Sequence, residues 1–283
     1  MHHGRAFAGL WLGLWLLSAC APSPDPATDE LRVLSLSPSI SAILIALGAA
    51  DAVVGSDRFS RELPGLEGAA SLGGLFAPDL ERAVELRPTL VLGVRSEQQQ
   101  WFFDRLRARG IVAQEIDPQT LPEVLDTFRE IARLVEREPE GEALVRSVES
   151  ELERISKASP DGERPRVALV VHREPLYIVG GGSFVSELIR IAGGENVFGD
   201  LVAPYPQISL EALAERQPDV LVDTTLPELE DERAALRYWS RFRWIRRVEL
   251  IPTGVLTVPG PELASAASLI QGVLRSESAS TTP

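Results

Sequence analysis

The chain has 283 residues, with 28 Lys and Arg against 41 Asp and Glu, so its formal net charge is −13 at pH 7. This length suffices for one large domain or for two lobes that each bury a core. The acidic balance argues against nucleic acid as a partner and against adsorption of the protein surface to anionic lipid.

The first twenty residues have the pattern of a secretory signal. A basic start precedes an apolar run from Ala6 to Leu17, and small residues lead to Cys20, the only cysteine. The run is shorter than the roughly 20 residues that span a bilayer, so the pattern predicts export. The ending Leu17-Ser18-Ala19-Cys20 resembles the lipobox of bacterial lipoproteins, in which the cysteine is acylated. We expect residues 1–19 to be a lipoprotein signal peptide and Cys20 to hold the protein at the extracytoplasmic face of a bacterial membrane.

Residues 20–30 are rich in proline and polar side chains, which predicts a tether without a core of its own. From Leu31 onward, short apolar runs alternate with amphipathic segments. This alternation predicts the α/β class, with parallel sheets covered by helices on both faces. The predicted strands are 33–36, 53–55, 90–93 and 167–171. The predicted helices are 41–47, 80–86, 101–109, 121–135 and 142–158.

The last two of these helices separate the two halves of the chain. Residues 138–141 (Glu-Pro-Glu-Gly) predict a break between them. The second helix has a stripe of apolar side chains three or four residues apart, which predicts one buried face. That stripe consists of Leu144, Val148, Leu152 and Ile155.

The second half of the chain repeats part of the first. Residues 80–92 align without gaps on residues 210–222, and both segments read as a helix, a proline stop and an apolar strand. Residues 49–55 have a looser counterpart in residues 193–199. Two matches in the same order predict two related lobes, with the helix at 142–158 as their connector.

Common catalytic and metal-binding motifs are absent from the sequence. It contains no P-loop, no G-x-S-x-G and no H-E-x-x-H, and Lys157 is the only lysine. After the signal, His172 is the only histidine, and one imidazole without a thiol cannot build a zinc or copper site. We therefore expect no enzyme activity, no cofactor and no direct metal ligands. A transition metal would have to arrive already held by an organic chelator.

Several short motifs occur in a fixed order along the chain. They are Val33–Ser39 (VLSLSPS), Leu72–Glu81 (LGGLFAPDLE), Arg87–Leu92 (RPTLVL), Pro175–Tyr177 (PLY), Gly182–Phe184 (GSF), Ala192–Val197 (AGGENV) and Tyr205–Glu211 (YPQISLE). In this order, behind a lipobox, they resemble the substrate-binding lipoproteins of bacterial ABC importers that take up vitamin B12, ferric siderophores and haem. The resemblance covers Arg32 to about Leu274, nearly all of the expected mature chain.

The resemblance implies two Rossmann-like α/β lobes with parallel sheets, joined by one long helix. The expected parts are an N-terminal lobe at 31–137, a connecting helix at 138–160, a C-terminal lobe at 161–275 and a disordered tail at 276–283. Ligand would lie in the cleft between the lobes, on loops at the ends of the strands. Closure should be small, because bending a helix breaks backbone hydrogen bonds.

Two glutamates occupy equivalent places in the repeat, one in each predicted lobe. Glu81 and Glu211 fall in the first turn of their helices, behind the predicted N-caps Asp79 and Ser209. An acidic residue there also complements the helix dipole, which is a purely structural interpretation. In the family, glutamates at these positions contact the permease. We therefore expect Glu81 and Glu211 to dock onto an ABC permease dimer, one lobe per subunit.

Aromatic and polar side chains near predicted strand ends are the candidates for ligand binding. Flat rings suit a large flat ligand because they stack with little loss of conformational entropy. The candidates are Ser39, Arg58, Phe59, Phe76, His172, Tyr177, Tyr205 and Trp239.

The class of chelate is open at this stage. The family likeness favours cobalamin or another corrinoid, although Leu75 and the apolar loop at 253–259 depart from the vitamin B12 pattern. A ferric siderophore or haem is the alternative within the family, since Arg58, Arg95 and Arg173 could face an anionic chelate. A lipid-anchored enzyme on the same scaffold is the alternative from another class.

Overall fold

The computed structural model describes residues 30–74, 77–159, 162–226, 232–252 and 254–276. The predicted signal peptide, Cys20, nearly all of the tether, Leu75, Phe76 and residues 277–283 lie outside the described residues. From Leu31 onward the chain forms one compact unit. Within the described ranges, no helix is both long enough and apolar enough to cross a membrane.

Strands and helices alternate along most of this unit. The strands are β1 (Val33–Ser35), β2 (Val53–Ser56), β3 (Ala70–Ser71), β4 (Gly73–Gly74), β5 (Ala77–Pro78), β6 (Leu90–Val94), β7 (Val112–Ile116), β8 (Arg166–His172), β9 (Tyr177–Ile178), β10 (Glu195–Asn196), β11 (Val220–Leu226) and β12 (Val248–Pro252). The helices are α1 (Pro38–Ala46), α2 (Leu80–Glu85), α3 (Gln100–Arg107), α4 (Leu121–Leu134), α5 (Glu138–Ala158), α6 (Phe184–Ile191), α7 (Leu210–Arg216), α8 (Glu232–Trp239) and α9 (Leu263–Arg275).

The strands form two main sheets, one on each side of α5 in the sequence. The first has the order β3-β2-β1-β6-β7, and all of its strand pairs are parallel. The second has the order β10-β8-β11-β12, also parallel, with β9 added antiparallel to β8. Apart from β3 and β9, the two sheets therefore have the same strand order. The predicted α/β class with two parallel sheets is confirmed, while the exact lobe boundaries stay a prediction.

The internal repeat extends to details of the backbone. Arg87 and Gln217, equivalent in the alignment, both adopt left-handed backbone with φ of 45° and 47°, and each precedes a proline. Because left-handed backbone is uncommon outside glycine, its recurrence at equivalent places is a specific match.

The start of the first strand in each sheet is tied down in the same way. The backbone N–H of Arg32 donates to Thr89 Oγ1, and that of Arg166 donates to Asp219 Oδ2, both at 2.9 Å. The Arg32 side chain also donates to the Leu86 carbonyl oxygen at the end of α2, and the Arg166 side chain donates to the Arg216 carbonyl oxygen at the end of α7. The two halves are therefore structural repeats, as the alignment predicts.

The predicted break between the two helices exists, but it lies at 135–137 and not at 138–141, because α5 begins at Glu138 and runs without interruption to Ala158. Pro139 lies in the first turn, where the missing N–H would have no helical partner anyway. Gly141 lies where α5 crosses α4, and a Cβ on it would come within 2.4 Å of the Ala132 Cβ. Glycine is therefore needed there for close packing of two helices.

Each sheet is covered by helices on both faces. Apolar side chains of α2 and α3 pack on the outer face of the first sheet, and those of α7 and α8 on the outer face of the second. The inner faces of both sheets contribute to one continuous core, together with α1, α4, α5, α6 and α9. The buried face of α5 includes Val145, Val148, Leu152 and Ile155, while Leu144 is only partly buried. The connecting helix is thus built into the core that the two sheets share.

We expect Gly141→Ala to lower the free energy of unfolding by about 1–3 kcal/mol, because the new methyl group overpacks the contact between α4 and α5. The matched control is Gly272→Ala in α9, where a Cβ would meet nothing within 4 Å. The control should raise the same quantity by about 0.5–1 kcal/mol through helix propensity. Urea unfolding of both variants measures this, and equal effects would contradict the packing argument.

Candidate functional site

The topology of the two sheets defines where a crevice can open. In the first sheet, β2 lies on one side of β1 and β6, which comes later in the chain, lies on the other. In the second sheet, β8 likewise has β10 on one side and β11 on the other. In parallel α/β sheets, ligands bind outside the carboxyl ends of the strands at such a point of reversal. The candidate positions are therefore the ends of β1 and β6 in the first sheet and of β8 and β11 in the second.

The carboxyl edges of the two sheets adjoin each other. The backbone N–H of Phe184, at the start of α6, donates to the carbonyl of Gln119, which follows β7. Gly260, which follows β12, lies beside the first turn of α1, since a Cβ on it would be 3.9 Å from the Ser39 carbonyl oxygen. A ligand held at one edge is therefore within reach of side chains from the other.

At the first edge, Asp57 shapes the loop that follows β2. Its buried carboxylate accepts hydrogen bonds from the backbone N–H of Phe59 at 2.9 Å and of Ser60 at 3.1 Å, and from the Ser60 hydroxyl. The guanidinium of Arg58 lies 4.5 Å from the centre of the Phe59 ring, and that ring is 44% exposed. Two of the predicted ligand residues thus form one exposed cation–aromatic pair on a fixed loop.

Ser39 lies at the same edge but below its surface. Its side chain is 4% exposed, and its hydroxyl is 2.8 Å from the Ser37 hydroxyl. Ser35 and Ser41 form a second buried hydroxyl pair at 2.7 Å. Ser39 would therefore meet a ligand only after a local rearrangement that exposes its side chain.

At the second edge, the ends of β8 and β11 border an open cavity of about 350 Å³. Its lining residues are His172, Arg173, Glu174, Thr225 and Tyr238. This cavity lies at the point of strand reversal that the topology indicates.

Two of the predicted ligand residues meet at this edge. The His172 ring packs edge to face on Tyr177, with 6.2 Å between the ring centres. His172 Nδ1 is 2.8 Å from the Pro175 carbonyl oxygen, which can only accept, so the neutral form of the ring has its proton on Nδ1 and its lone pair on Nε2. The imidazole is exposed. It can therefore act as a hydrogen-bond acceptor or as an axial ligand to a metal in a chelate.

Trp239 does not line this cavity, so its sequence-based assignment is wrong. The indole is 1% exposed and packs in the core of the second sheet. Its Nε1–H donates to Asp223 Oδ2 at 2.6 Å, and Arg173 Nε donates to the same oxygen at 2.9 Å. Trp239 therefore contributes to the cavity only indirectly, because it donates to the fully buried Asp223 carboxylate that also holds Arg173.

The aromatic side chain that reaches the cavity from α8 is Tyr238. Its ring lies under the guanidinium of Arg241 at 4.4 Å and beside that of Arg173 at 5.8 Å. Burial raises the pKa of the Tyr238 phenol, and the Glu174 carboxylate adds to the rise. The phenol therefore stays protonated at neutral pH and can donate a hydrogen bond.

Tyr238, Asp223 and Thr225 are not among the site residues predicted from the sequence. One signal for the last two is the polar run Asp223-Thr224-Thr225 directly after the apolar run of β11, at the end where ligands bind. The burial of Trp239 follows from its spacing of four residues from Ala235, the other buried residue of α8. Tyr238 then necessarily points to a different side of the helix.

Tyr205 is carried by a loop that is pinned against a glycine triplet. Gly180 N donates to Pro204 O at 2.9 Å and Gly181 N donates to Leu201 O at 2.8 Å. A Cβ on any residue of the triplet Gly180–Gly182 would lie 2.1 Å from a carbonyl oxygen of this loop. Only glycine permits so close an approach, so the position of Tyr205 is fixed by the backbone.

The Tyr205 side chain is half-buried at the junction of the two halves. Its hydroxyl accepts a hydrogen bond from Ser183 Oγ at 3.2 Å, and burial raises the pKa of its phenol while that bond opposes the rise. Ser183 also caps α6, whose first residue contacts Gln119 of the other half.

Glu81 and Glu211 are exposed in the first turns of α2 and α7. Asp79 caps α2 and Ser209 caps α7, as predicted. Hydrogen bonds from its own backbone N–H and from the Ser209 hydroxyl hold the pKa of Glu211 below its usual value. The two glutamates therefore lie at equivalent places, each in the first turn of the helix that precedes β6 or β11.

The described part of the chain has no group of three or more His, Cys, Asp or Glu side chains that could hold a metal ion. What the adjoining edges offer is one exposed imidazole, exposed or half-buried aromatic rings, and arginine side chains. Such a set can hold a large ligand by stacking, hydrogen bonding and charge.

Comparison with known proteins identifies the relatives of this chain. The family model described as periplasmic binding protein matches residues 33–235. A vitamin B12-binding protein of Vibrio parahaemolyticus is 28% identical over 231 residues, which cover 76% of this chain and 83% of the relative.

Two solved structures show the shared fold. A possible iron-binding (periplasmic solute-binding) protein from Staphylococcus epidermidis has a TM-score of 0.77 at 22% identity, and the match covers 86% of this chain and 98% of that one. A periplasmic haem-binding protein of Vibrio cholerae has a TM-score of 0.76 at 21% identity, with 87% and 99% covered. Because the family model matches well over half of its residues, the chain belongs to the periplasmic binding protein family.

Proposed function

We propose that this chain is the extracytoplasmic solute-binding component of an ABC importer and that it binds a metal chelate without transforming it. The observation that carries the proposal is the cavity at the carboxyl edge of the second sheet, at the point of strand reversal. Its aromatic, imidazole and guanidinium groups suit a large polar ring system better than a bare ion.

A corrinoid is the first candidate for the ligand, because relatives at 28% identity are named vitamin B12-binding protein. Haem is the second candidate, and one observation favours it. The exposed His172 has its Nδ1 occupied by the Pro175 carbonyl, so Nε2 is available as an axial ligand to iron.

Absorbance titration of the purified protein with cyanocobalamin, haemin and ferric siderophores tests the proposal. We expect saturable binding of at least one chelate, and the chelate should be recovered unchanged after release. Turnover of the ligand would instead support an enzyme, and no binding of any of the three would contradict the proposal.

His172→Ala separates the first two ligands. If haem is bound through Nε2, the substitution should shift the Soret band and weaken binding by about tenfold or more. Cyanocobalamin has both axial positions filled, so its affinity should change by only a few-fold. An unshifted haem spectrum would rule out His172 as an axial ligand.

We further propose that Glu81 and Glu211 dock onto the permease. Changing both to Arg should reduce chelate uptake by at least about tenfold while leaving the dissociation constant of the chelate unchanged, because opposite charges at the docking contact become like charges. Uptake assays in cells and calorimetry on the purified variant provide the two readouts.

The matched control is the double change of Glu85 and Glu215 to Arg. These residues are exposed on the same two helices, at equivalent places in the repeat. Their substitution changes the net charge by the same amount. Uptake by this control should stay near the wild-type level. Equal losses in the two double variants would indicate a general charge effect in place of docking.

We also propose that lipid on Cys20 anchors the protein. Cys20→Ala should move the protein from the membrane fraction to the soluble fraction and leave chelate affinity unchanged, because the binding residues lie in the compact unit from Leu31 onward. Fractionation followed by immunoblotting measures this, and retention in the membrane fraction would contradict the assignment.

A further inference from the structure

The Thr225 hydroxyl is buried, but it makes no hydrogen bond that would stabilise the described part of the fold. The residue lines the cavity of the second sheet, and its Oγ1 is screened from solvent with no hydrogen-bond partner among the described residues. A buried hydroxyl without a partner destabilises a fold, so natural structures rarely keep one.

The neighbouring threonine shows the ordinary arrangement. Thr224 Oγ1 donates to the Val170 carbonyl oxygen at 3.0 Å, within the sheet. Thr224 therefore contributes its hydroxyl to the fold, whereas Thr225 presents its side chain to the cavity. Rotation about the Cα–Cβ bond moves a threonine hydroxyl among three staggered positions, so the Thr225 hydroxyl can turn towards a ligand in the cavity without a change in the backbone.

Asp223 fixes the position of this wall. Its fully buried carboxylate accepts hydrogen bonds from Thr225 N at 2.9 Å, from Arg173 Nε at 2.9 Å and from Trp239 Nε1 at 2.6 Å. Two of these donors belong to residues that line the cavity, and the third belongs to the neighbour of Tyr238. One carboxylate thus sets the relative positions of the ends of β8 and β11 and of α8.

Hydrogen-bond donors dominate this part of the cavity. Arg173 can only donate, and the Thr225 hydroxyl and the protonated Tyr238 phenol can each donate one bond. The acceptors in the lining are the Glu174 carboxylate and Nε2 of His172, and both residues are exposed. A ligand group that meets Arg173, Thr225 and Tyr238 is therefore best matched if it supplies acceptor oxygens.

We propose that the Thr225 hydroxyl donates a hydrogen bond to a carboxylate or carboxamide oxygen at the edge of the bound chelate, and that Asp223 is the positioning residue for this contact. The inference rests on the proposed function and names the part of the ligand that the second sheet recognises. Corrinoids bear peripheral carboxamides and haem bears propionates, so both have the required oxygens.

Thr225→Val and Thr224→Val, which both replace a hydroxyl with a methyl group, test the proposal in opposite directions. Thr225→Val should weaken binding of cyanocobalamin or haemin by about 3- to 10-fold, the usual effect of one hydrogen bond. The melting temperature of the ligand-free variant should stay the same or rise. Thr224→Val should lower the melting temperature and leave affinity unchanged, and Thr225→Ser should restore wild-type affinity.

Asp223→Asn tests the positioning role. It should weaken chelate binding, and combining it with Thr225→Val should weaken binding by less than the product of the two single effects, because both act on one contact. Independent, multiplicative effects would show that Asp223 acts on the fold alone.

The outcomes separate this inference from the function it rests on. If the wild-type protein binds neither cyanocobalamin nor haemin nor a ferric siderophore, the proposed function fails. If the wild type binds one of them and Thr225→Val binds it equally well, the proposed function stands and the subsite at Thr225 is overturned.

Discussion

The packing of α5 against α4, α6 and α9 is the constraint on which the rest of the structure depends. Its buried face belongs to the same core as Val33 of the first sheet and Val167 of the second. At α9, Gln271 Nε2 donates to the Ile155 carbonyl oxygen and to Ser159 Oγ, close to the end of α5. The helix therefore fixes where the carboxyl edges of the two sheets meet, and the spacing of ligand-contacting groups on the two sides follows from it.

Within that frame, both edges use a buried acidic group to shape a surface that is not itself acidic. Asp57 holds the loop that exposes Arg58 and Phe59, and Asp223 holds the wall that contains Arg173. In each case the carboxylate accepts hydrogen bonds from donors close to it in the fold, and at Asp223 the Arg173 guanidinium also offsets its charge. Two buried carboxylates thus position guanidinium and aromatic groups at the cleft of a chain whose net charge is −13.

The α/β class, the first strand of each sheet and the repeated helix–proline–strand unit could be predicted from the sequence, because parallel strands are short apolar runs and the unit recurs with little change. The site was only partly predictable. The helix α8 is not among the helices predicted from the sequence, so its buried face was unknown and Trp239 was predicted for the cleft in place of Tyr238. Asp223 and Gly141 depend on contacts with residues distant in sequence, and no local pattern reveals such contacts.

The shared core also determines how the protein unfolds and how a fragment of it would behave. The two halves have the same strand order, but the helices on the inner faces of their sheets pack on α5 and, through α4 and α6, on each other. A fragment ending before α5 would expose to water the apolar side chains with which α4 packs on α5 and α6, and we expect it to aggregate. The protein should therefore melt as a single cooperative unit despite its two sheets.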